Sequence, residues 1–226
     1  MNVMVGPAGF DKLSAIDTVV GRFESGMTIL VGGFGERGFP FGLVDALLES
    51  GVDNLTLVKS DGNEDGIGIG RLVEAGRVRR IIASHVGLNR GLVDRINQKR
   101  VDAEICPQGI LAERIRAGGA GLGGVLSDIG IETLVAEGKT QISVSGKAYL
   151  VEEAIRGDVA LLRAHRVDHF GNATYRNAAR NFNPLMAMAA DYVIMEAEEV
   201  VETGAIPPNE VVTPGVFVDA VVEVAP

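Results

Sequence analysis

The feature that most constrains this chain is an apolar run at residues 27–31 (MTILV) that stops at Gly32-Gly33-Phe34-Gly35-Glu36-Arg37-Gly38 and gives way to PFGLVDALLES at residues 40–50. Five apolar or β-branched residues closed by glycine read as a buried strand, too short for a helix. The segment that follows has helical composition, and Pro40 fits a first turn, where its missing N–H is no loss. Strand, glycine turn and helix in that order open a βαβ unit, the building block of a parallel sheet.

The pattern recurs along the chain. Residues 54–58 (NLTLV) read as a second strand, followed by a polar loop at 59–65 and a helix at 68–74. Strands are expected at 80–84 (RIIAS), 101–106, 159–162 (VALL) and 192–195 (YVIM), and helices at 108–117 (QGILAERIRA) and 184–190. The valine-rich tail at 215–224 suits an edge strand. Between Gly118 and Gly146 the sequence is glycine-rich and weakly periodic, compatible with a flap, a crossover or a small β excursion. The expected architecture is therefore α/β, an open and mainly parallel sheet flanked by helices, with residues 1–226 forming one domain.

Composition limits function. With 46% hydrophobic and 23% charged residues, the chain belongs with globular proteins. Its net charge of -9 opposes general nucleic-acid binding, which draws on Lys and Arg meeting phosphates. Arg77, Arg79 and Arg80, and the pair Arg114 and Arg116, read as solvated surface, with contact to substrate phosphates as the functional alternative. The single cysteine, Cys106, excludes an internal disulfide and multi-cysteine metal sites and reads as a packed thiol. No signal-peptide order is visible and no apolar stretch reaches about 18 residues, so a cytoplasmic protein without a membrane partner is expected.

Glycines in the 32–38 loop allow backbone N–H groups to approach an anion or a developing oxyanion, although a tight turn explains the same residues. The loop is not G-x-G-x-x-G at a dinucleotide site, and G-x-x-x-x-G-K-[ST] is absent, so the NAD and ATP readings lack their parts. Ser60-Asp61-Gly62-Asn63-Glu64-Asp65-Gly66 follows the second strand's carboxyl end, where open α/β sheets bind ligands, yet it also suits a solvated turn. Its three carboxylates do not fit the EF-hand spacing. His165 and His169 stand four apart, but turn residues around them and the lack of H-E-x-x-H argue against a zinc pair; His85 stands alone.

The residues GMTILVGGFGERGFP (26–40) resemble the N-terminal signature of family I CoA transferases of the 3-oxoacid type. CPQGILAERIRAGGAG (106–121), EEAIRGDVALLRAHRVD (152–168), GNATYRNAARNFNPLMAMAA (171–190) and TPGVFVDAVV (213–222) resemble the same family's α subunit in the same order. The resemblance covers nearly the whole chain. It implies a homologous β subunit in an α2β2 assembly, with the active site between the subunits. It also implies a ping-pong reaction on an acyl-CoA and a carboxylic acid through a glutamate in a Ser-Glu-Asn-Gly motif of the β subunit. No metal or cofactor is implied, coenzyme A being a substrate. Gly33, Phe34 and Gln108 would then serve the oxyanion and its positioning, while Gly32, Gly35, Ser60, Asp61 and Asn63 would contact substrate. The plain reading of Gln108 is a helix-starting residue bonded to its own backbone.

One departure stands out. Relatives often carry two asparagines where this chain has Ser60 and Asp61, and a carboxylate near the acyl pocket would repel acidic substrates such as succinate and 3-oxoadipate. Short-chain or 3-oxo acids are expected. Two rivals stand beside this reading: a self-sufficient transferase or thioesterase using Asp61 or Glu64 as nucleophile, and a subunit that binds CoA esters without turnover. A sugar-phosphate isomerase or deaminase of similar fold is a further option on fold grounds alone.

Overall fold

The computed structural model describes residues 11–224. Its first half alternates helix and strand: α1 (Ile16–Val20), β1 (Thr28–Val31), α2 (Phe41–Glu49), β2 (Leu55–Val58), α3 (Ile69–Glu74), β3 (Val78–Ala83), α4 (Arg90–Asn97), β4 (Asp102–Ile105) and α5 (Gln108–Gly119). An antiparallel excursion follows, β5 (Gly124–Ser127), β6 (Gln141–Val144) and β7 (Lys147–Glu153). The chain then returns through β8 (Gly157–Asp168), β9 (Ala173–Thr174), α6 (Asn183–Met188), β10 (Ala190–Val201) and β11 (Ala220–Glu223).

The main sheet has the order β11-β10-β8-β1-β2-β3-β4, all parallel along this path, with β9 antiparallel on β8. β1 lies inside it. The chain runs outward from β1 through β2, β3 and β4 on one side, and through β8, β10 and β11 on the other. In such sheets the crevice at the carboxyl ends of the strands flanking this reversal receives the ligand. β1 ends there at Val31, directly before Gly32.

Period-2 alternation divides each strand between two helical layers. Ile29, Val31, Leu57, Ile81, Val159, Leu161 and Ile194 pack beneath α2 and α3 with Leu43, Leu47 and Leu72. Leu30, Val58, Ile82, Leu162 and Met195 pack with Leu111 and Ile115 of α5 and Met186 of α6. Burying one such side chain is worth about 1.5–3 kcal/mol, so the glycine turn is anchored by the strand before it and the helix after it.

The sheet expectation holds, with differences at particular elements. The glycine-rich stretch at 118–146 opens the small β excursion: β5 and β6 both pair antiparallel with β7. Its inner side is fixed by Leu150 and by Glu152, fully buried against Lys139 at 2.7 Å. The register puts Leu126, Val151, Tyr149, Ile142 and Val144 on the outer side, where Leu126, Ile142 and Val144 are exposed. Helix α4 was not anticipated; its signal is Asn89, whose side chain accepts from the Leu92 N–H at 2.8 Å. β8 and β10 each reach 12 residues because charged residues alternate with the core residues Ala164, Val167 and Ala197 along their second halves. The tail strand is an edge strand, but it spans only Ala220–Glu223, and Gly215–Phe217 forms a 3₁₀ turn.

Candidate functional site

The turn after β1 is shaped by what lies against it. Gly33 has φ +98°, and a Cβ there would stand 2.9 Å from the Phe39 Cα, so both dihedral and space demand glycine. At Gly32 a Cβ would fall 1.9 Å from the Asn183 Oδ1. Asn183 is fully buried at the start of α6: its Oδ1 accepts from the Arg163 N–H (3.2 Å), and its Nδ2 donates to the carbonyls of Gly38 (3.1 Å) and Ala179 (2.9 Å). One amide side chain thus spans the turn from Gly32 to Gly38. Nothing in local sequence pattern marks Asn183; its partner Gly38 is 145 residues upstream.

The loop's N–H groups are unequally available. Phe34 N–H donates to the Arg37 carbonyl (3.0 Å), and Gly35 N–H donates to Asp61 Oδ2 (2.8 Å). Among the described residues the Gly33 N–H has no acceptor in the chain. Of the two loop amides expected at an oxyanion, Gly33's is unpaired but buried, and Phe34's is engaged.

Beneath the loop lies a buried ion pair. Lys59 is wholly inaccessible, with Nζ 2.9 Å from Asp61 Oδ2 and over the Phe39 ring at 5.4 Å. Ser60 is buried too; its hydroxyl sits between the Asp61 carboxylate and the Gly33 carbonyl oxygen (3.0 Å) and gives its single proton to one of them at a time. Asn63 N–H donates to Asp61 Oδ1 (2.9 Å). Burial pulls the Asp61 carboxyl upward, but the Lys59 charge, the Ser60 hydroxyl and the Gly35 N–H outweigh it and hold it below the usual aspartate range. For Lys59, burial outweighs the Asp61 charge and lowers the ammonium pKa. Asp61 is therefore an ionised, four-donor anchor of the loop.

The remaining loop residues divide by task. Asn63 takes a left-handed φ of 50°, donates from Nδ2 to the Gly35 carbonyl (3.1 Å) and accepts from the Ile69 N–H at the start of α3 (3.2 Å). Asp65 receives the Arg90 and Gly91 N–H groups at the start of α4. Glu64 is exposed on the cleft wall. The three carboxylates thus serve three places.

Two concave spaces flank the loop. A cleft of about 880 Å³ is lined by Gly35, Arg37, Asp61, Asn63, Arg163 and Arg176, with Glu36, Glu64 and Glu198 also on its wall. A smaller pocket of about 320 Å³ is formed by Phe34, Gln108, Gly109, Ala112, Asn181, Phe182 and Leu185. The structure therefore brings Gly35, Asp61 and Asn63 to one space and Phe34 and Gln108 to the other, with Gly32, Gly33 and Ser60 buried between. Gln108 is exposed as the first residue of α5, and among the described residues its carboxamide makes no hydrogen bond. The self-bonded reading of Gln108 thus has no support here. From sequence, Asp61 was expected near the acyl group as a repelling charge. The structure sets it on the charged cleft, with Lys59 as its counter-ion.

The arginines read as solvated surface, with phosphate contact as the alternative, all have partners within the chain. Arg80 and Arg114 share Glu104, and Arg114 is buried, with Nε donating to the Glu153 carbonyl (2.8 Å). Arg77 binds the Gly51 carbonyl, Arg79 the Thr56 hydroxyl, and Arg116 Glu113. The guanidiniums on the cleft are Arg37, Arg163 and Arg176, none singled out in sequence. On the ends of β8 and β10, Arg163 pairs with Glu196 (2.8 Å) and Glu198 (3.3 Å), and His165 with Glu198 (3.1 Å). His169 pairs instead with Asp11 (3.1 Å), so the two histidines serve separate carboxylates. Cys106 is buried, and burial raises its thiol pKa, as expected of a packed residue. Among the described residues no helix is long and apolar enough to cross a membrane.

Residues 12–224 match the family model described as Coenzyme A transferase. The chain is similar to the alpha chain of the acetate CoA-transferase of Escherichia coli (strain K12), 49% identical over 93% of this chain and 96% of that one. It is also similar to a chain of the succinyl-CoA:3-ketoacid coenzyme A transferase of Xanthomonas campestris pv. campestris (strain B100), 42% identical over 98% and 92%. Among solved structures, the acyl-CoA transferase apoenzyme from Escherichia coli O157:H7 superposes with a TM-score of 0.85 at 26% identity, over 96% of this chain. This chain spans 48% of that longer polypeptide.

Proposed function

Because the chain belongs to the coenzyme A transferase family, we propose that it is the α subunit of a heteromeric enzyme that moves coenzyme A from an acyl-CoA to a free short-chain or 3-oxo carboxylic acid. The nucleophile is a glutamate of a homologous β subunit. Its carboxylate attacks the thioester carbonyl, the C–S bond breaks, and an acyl-glutamyl anhydride and CoA thiolate result. The thiolate then attacks the glutamyl carbonyl, the acid departs as its carboxylate, and a glutamyl-CoA thioester remains. The acceptor carboxylate runs these steps in reverse.

Each step passes through a tetrahedral oxyanion. Preorganised donors stabilise it, and losing one typically lowers turnover about 10²–10³-fold. The observation that carries this reading is the Gly33 N–H, left without an acceptor among the described residues at the sheet's switch point, on a turn locked by Asn183 and by the Asp61 network. The Gln108 carboxamide, at the pocket beside it, supplies the second donor. Asp61 suits an anchor better than a nucleophile, since its oxygens are occupied by Lys59, Ser60, Gly35 and Asn63. The exposed outer face of the small sheet and the half-length match to a single-chain transferase support a second polypeptide; an α2β2 assembly follows from the family resemblance.

The test is transfer of CoA from acetyl-CoA to a free acid, assayed with the chain alone, with its native partner alone, and with both. Turnover only in the mixture is expected. Full activity of this chain alone would overturn the division of labour, and no transfer by the assembled pair would overturn the function.

A further inference from the structure

The two spaces beside the glycine loop differ in charge. The larger cleft carries Arg37, Arg163 and Arg176 together with several carboxylates. Arg163 is committed to Glu196 and Glu198, whereas the Arg37 and Arg176 guanidiniums have no carboxylate partner among the described residues. Among the described residues the smaller pocket has no ionisable side chain. Its walls are Phe34, Ala112, Phe182 and Leu185, and its polar groups are the amides of Gln108 and Asn181.

Both ends of an acyl-CoA must diverge from one reacting carbonyl. Coenzyme A is the larger and more highly charged end, and only the cleft offers it room and cations. The acyl tail is then left the uncharged pocket. We infer that this pocket selects a short acyl group with no charge beyond the reacting carboxyl, so that monocarboxylates are the substrates and dicarboxylates such as succinate are not. The inference rests on the CoA-transfer reading and narrows it.

The physical reason is desolvation. A distal carboxylate in this pocket would lose water and gain the Gln108 amide at most, since the Asn181 Nδ2 already donates to the Arg37 and Ala178 carbonyls, and an unpaired charge in an apolar site is strongly disfavoured. A third or fourth methylene of an aliphatic acid instead gains contact with Phe182 and Leu185. Asp61 contributes little to the exclusion, because Lys59 neutralises it and it lines the other space. Family membership does not decide the matter, since relatives named for acetate and for succinyl-CoA are both similar to this chain.

The experiment uses the chain assembled with its native partner, acetyl-CoA as donor, and propionate, butyrate, succinate and glutarate as acceptors. A kcat/KM for butyrate at least about a hundredfold above that for succinate is expected. Leu185→Arg places a cation in the pocket and should narrow that ratio at least tenfold, by raising succinate and lowering butyrate. Ala112→Lys does the same from α5 should the first variant fail to fold. Equal use of succinate and butyrate by the unmodified enzyme would overturn the inference while leaving CoA transfer intact. An unchanged ratio in a folded, active variant would overturn the pocket's assignment. Absence of transfer to every acid would overturn the CoA-transfer reading itself, and the inference with it.

Discussion

Lys59 lies wholly buried beneath the glycine loop with Asp61 as its counter-ion, so a neutral residue at 61 strands a charge in the protein interior. Removing one partner of a buried pair costs about 3–5 kcal/mol, whereas replacing both with apolar groups is often neutral. Asp61→Asn should therefore lower stability to urea by about that amount, and adding Lys59→Met should restore most of it. Additive losses in the double variant would show that the two side chains act separately. Gln108 makes the opposite case. Exposed and without a hydrogen-bond partner among the described residues, it supports nothing in the fold. Gln108→Ala should leave the melting temperature unchanged and lower kcat by about 10²-fold; unaltered turnover would remove it from the mechanism. At this scale the sequence showed residue types more clearly than their tasks. Gly32 and Gly33 were legible as a turn, but their need for glycine comes from Asn183 and Phe39, and Asn183 belongs to a helix far along the chain. Asp61 was legible as a carboxylate near a strand end, while its counter-ion is the lysine directly after β2, which reads as an ordinary surface residue.

At the scale of elements, a contact across the sheet orders the helix that follows the loop. Glu196 of β10 is fully buried, and its carboxylate accepts from the Leu43 N–H (3.0 Å) in the first turn of α2 while pairing with Arg163. A negative charge at a helix N-terminus is favourable. Burial nevertheless outweighs the Leu43 N–H, Arg163 and the Gly42 N–H, and the Glu196 pKa is raised. The sign follows from linkage: a raised carboxyl contributes stability below its unfolded value that is lost as pH rises through its folded value. The Glu196 contribution should therefore be lost as pH rises from 4.5, the ordinary glutamate value, and urea midpoints of Glu196→Gln should fall less, or rise more, with pH than those of the unmodified protein. Identical slopes for both proteins would assign the pH dependence elsewhere. Strongly apolar or long segments were the legible ones, β1, β2, α2 and α5 among them. The charged ends of β8 and β10 were not, because Arg163, His165, Glu196 and Glu198 break the apolar run that marks a buried strand and pair with each other, while Ala164, Val167 and Ala197 face the core. Helix α4 carries Leu92, Val93 and Ile96 at helical spacing, but it is short and polar overall, with Leu92 its one buried residue, and so was passed over.

For the whole molecule, the parallel order around β1 accounts for the position of the site. The glycine turn leaves β1, the Asp61 loop leaves β2, and Arg163 stands on β8, so three adjacent strands deliver their ends to one crevice. That convergence follows from the repeated strand-loop-helix pattern, and the sequence carried it. The division of the crevice into a charged cleft and an uncharged pocket did not show, since Phe34, Gln108, Ala112 and Leu185 meet only after folding. The central claim is that this chain supplies the oxyanion donors and the partner supplies the nucleophile. The most direct measurement is borohydride reduction of the assembled enzyme after incubation with acetyl-CoA, followed by mass mapping of both polypeptides. A reduced glutamate on the partner, with Asp61 and Glu64 of this chain unmodified, is the predicted result; a reduced adduct on Asp61 or Glu64 would contradict it.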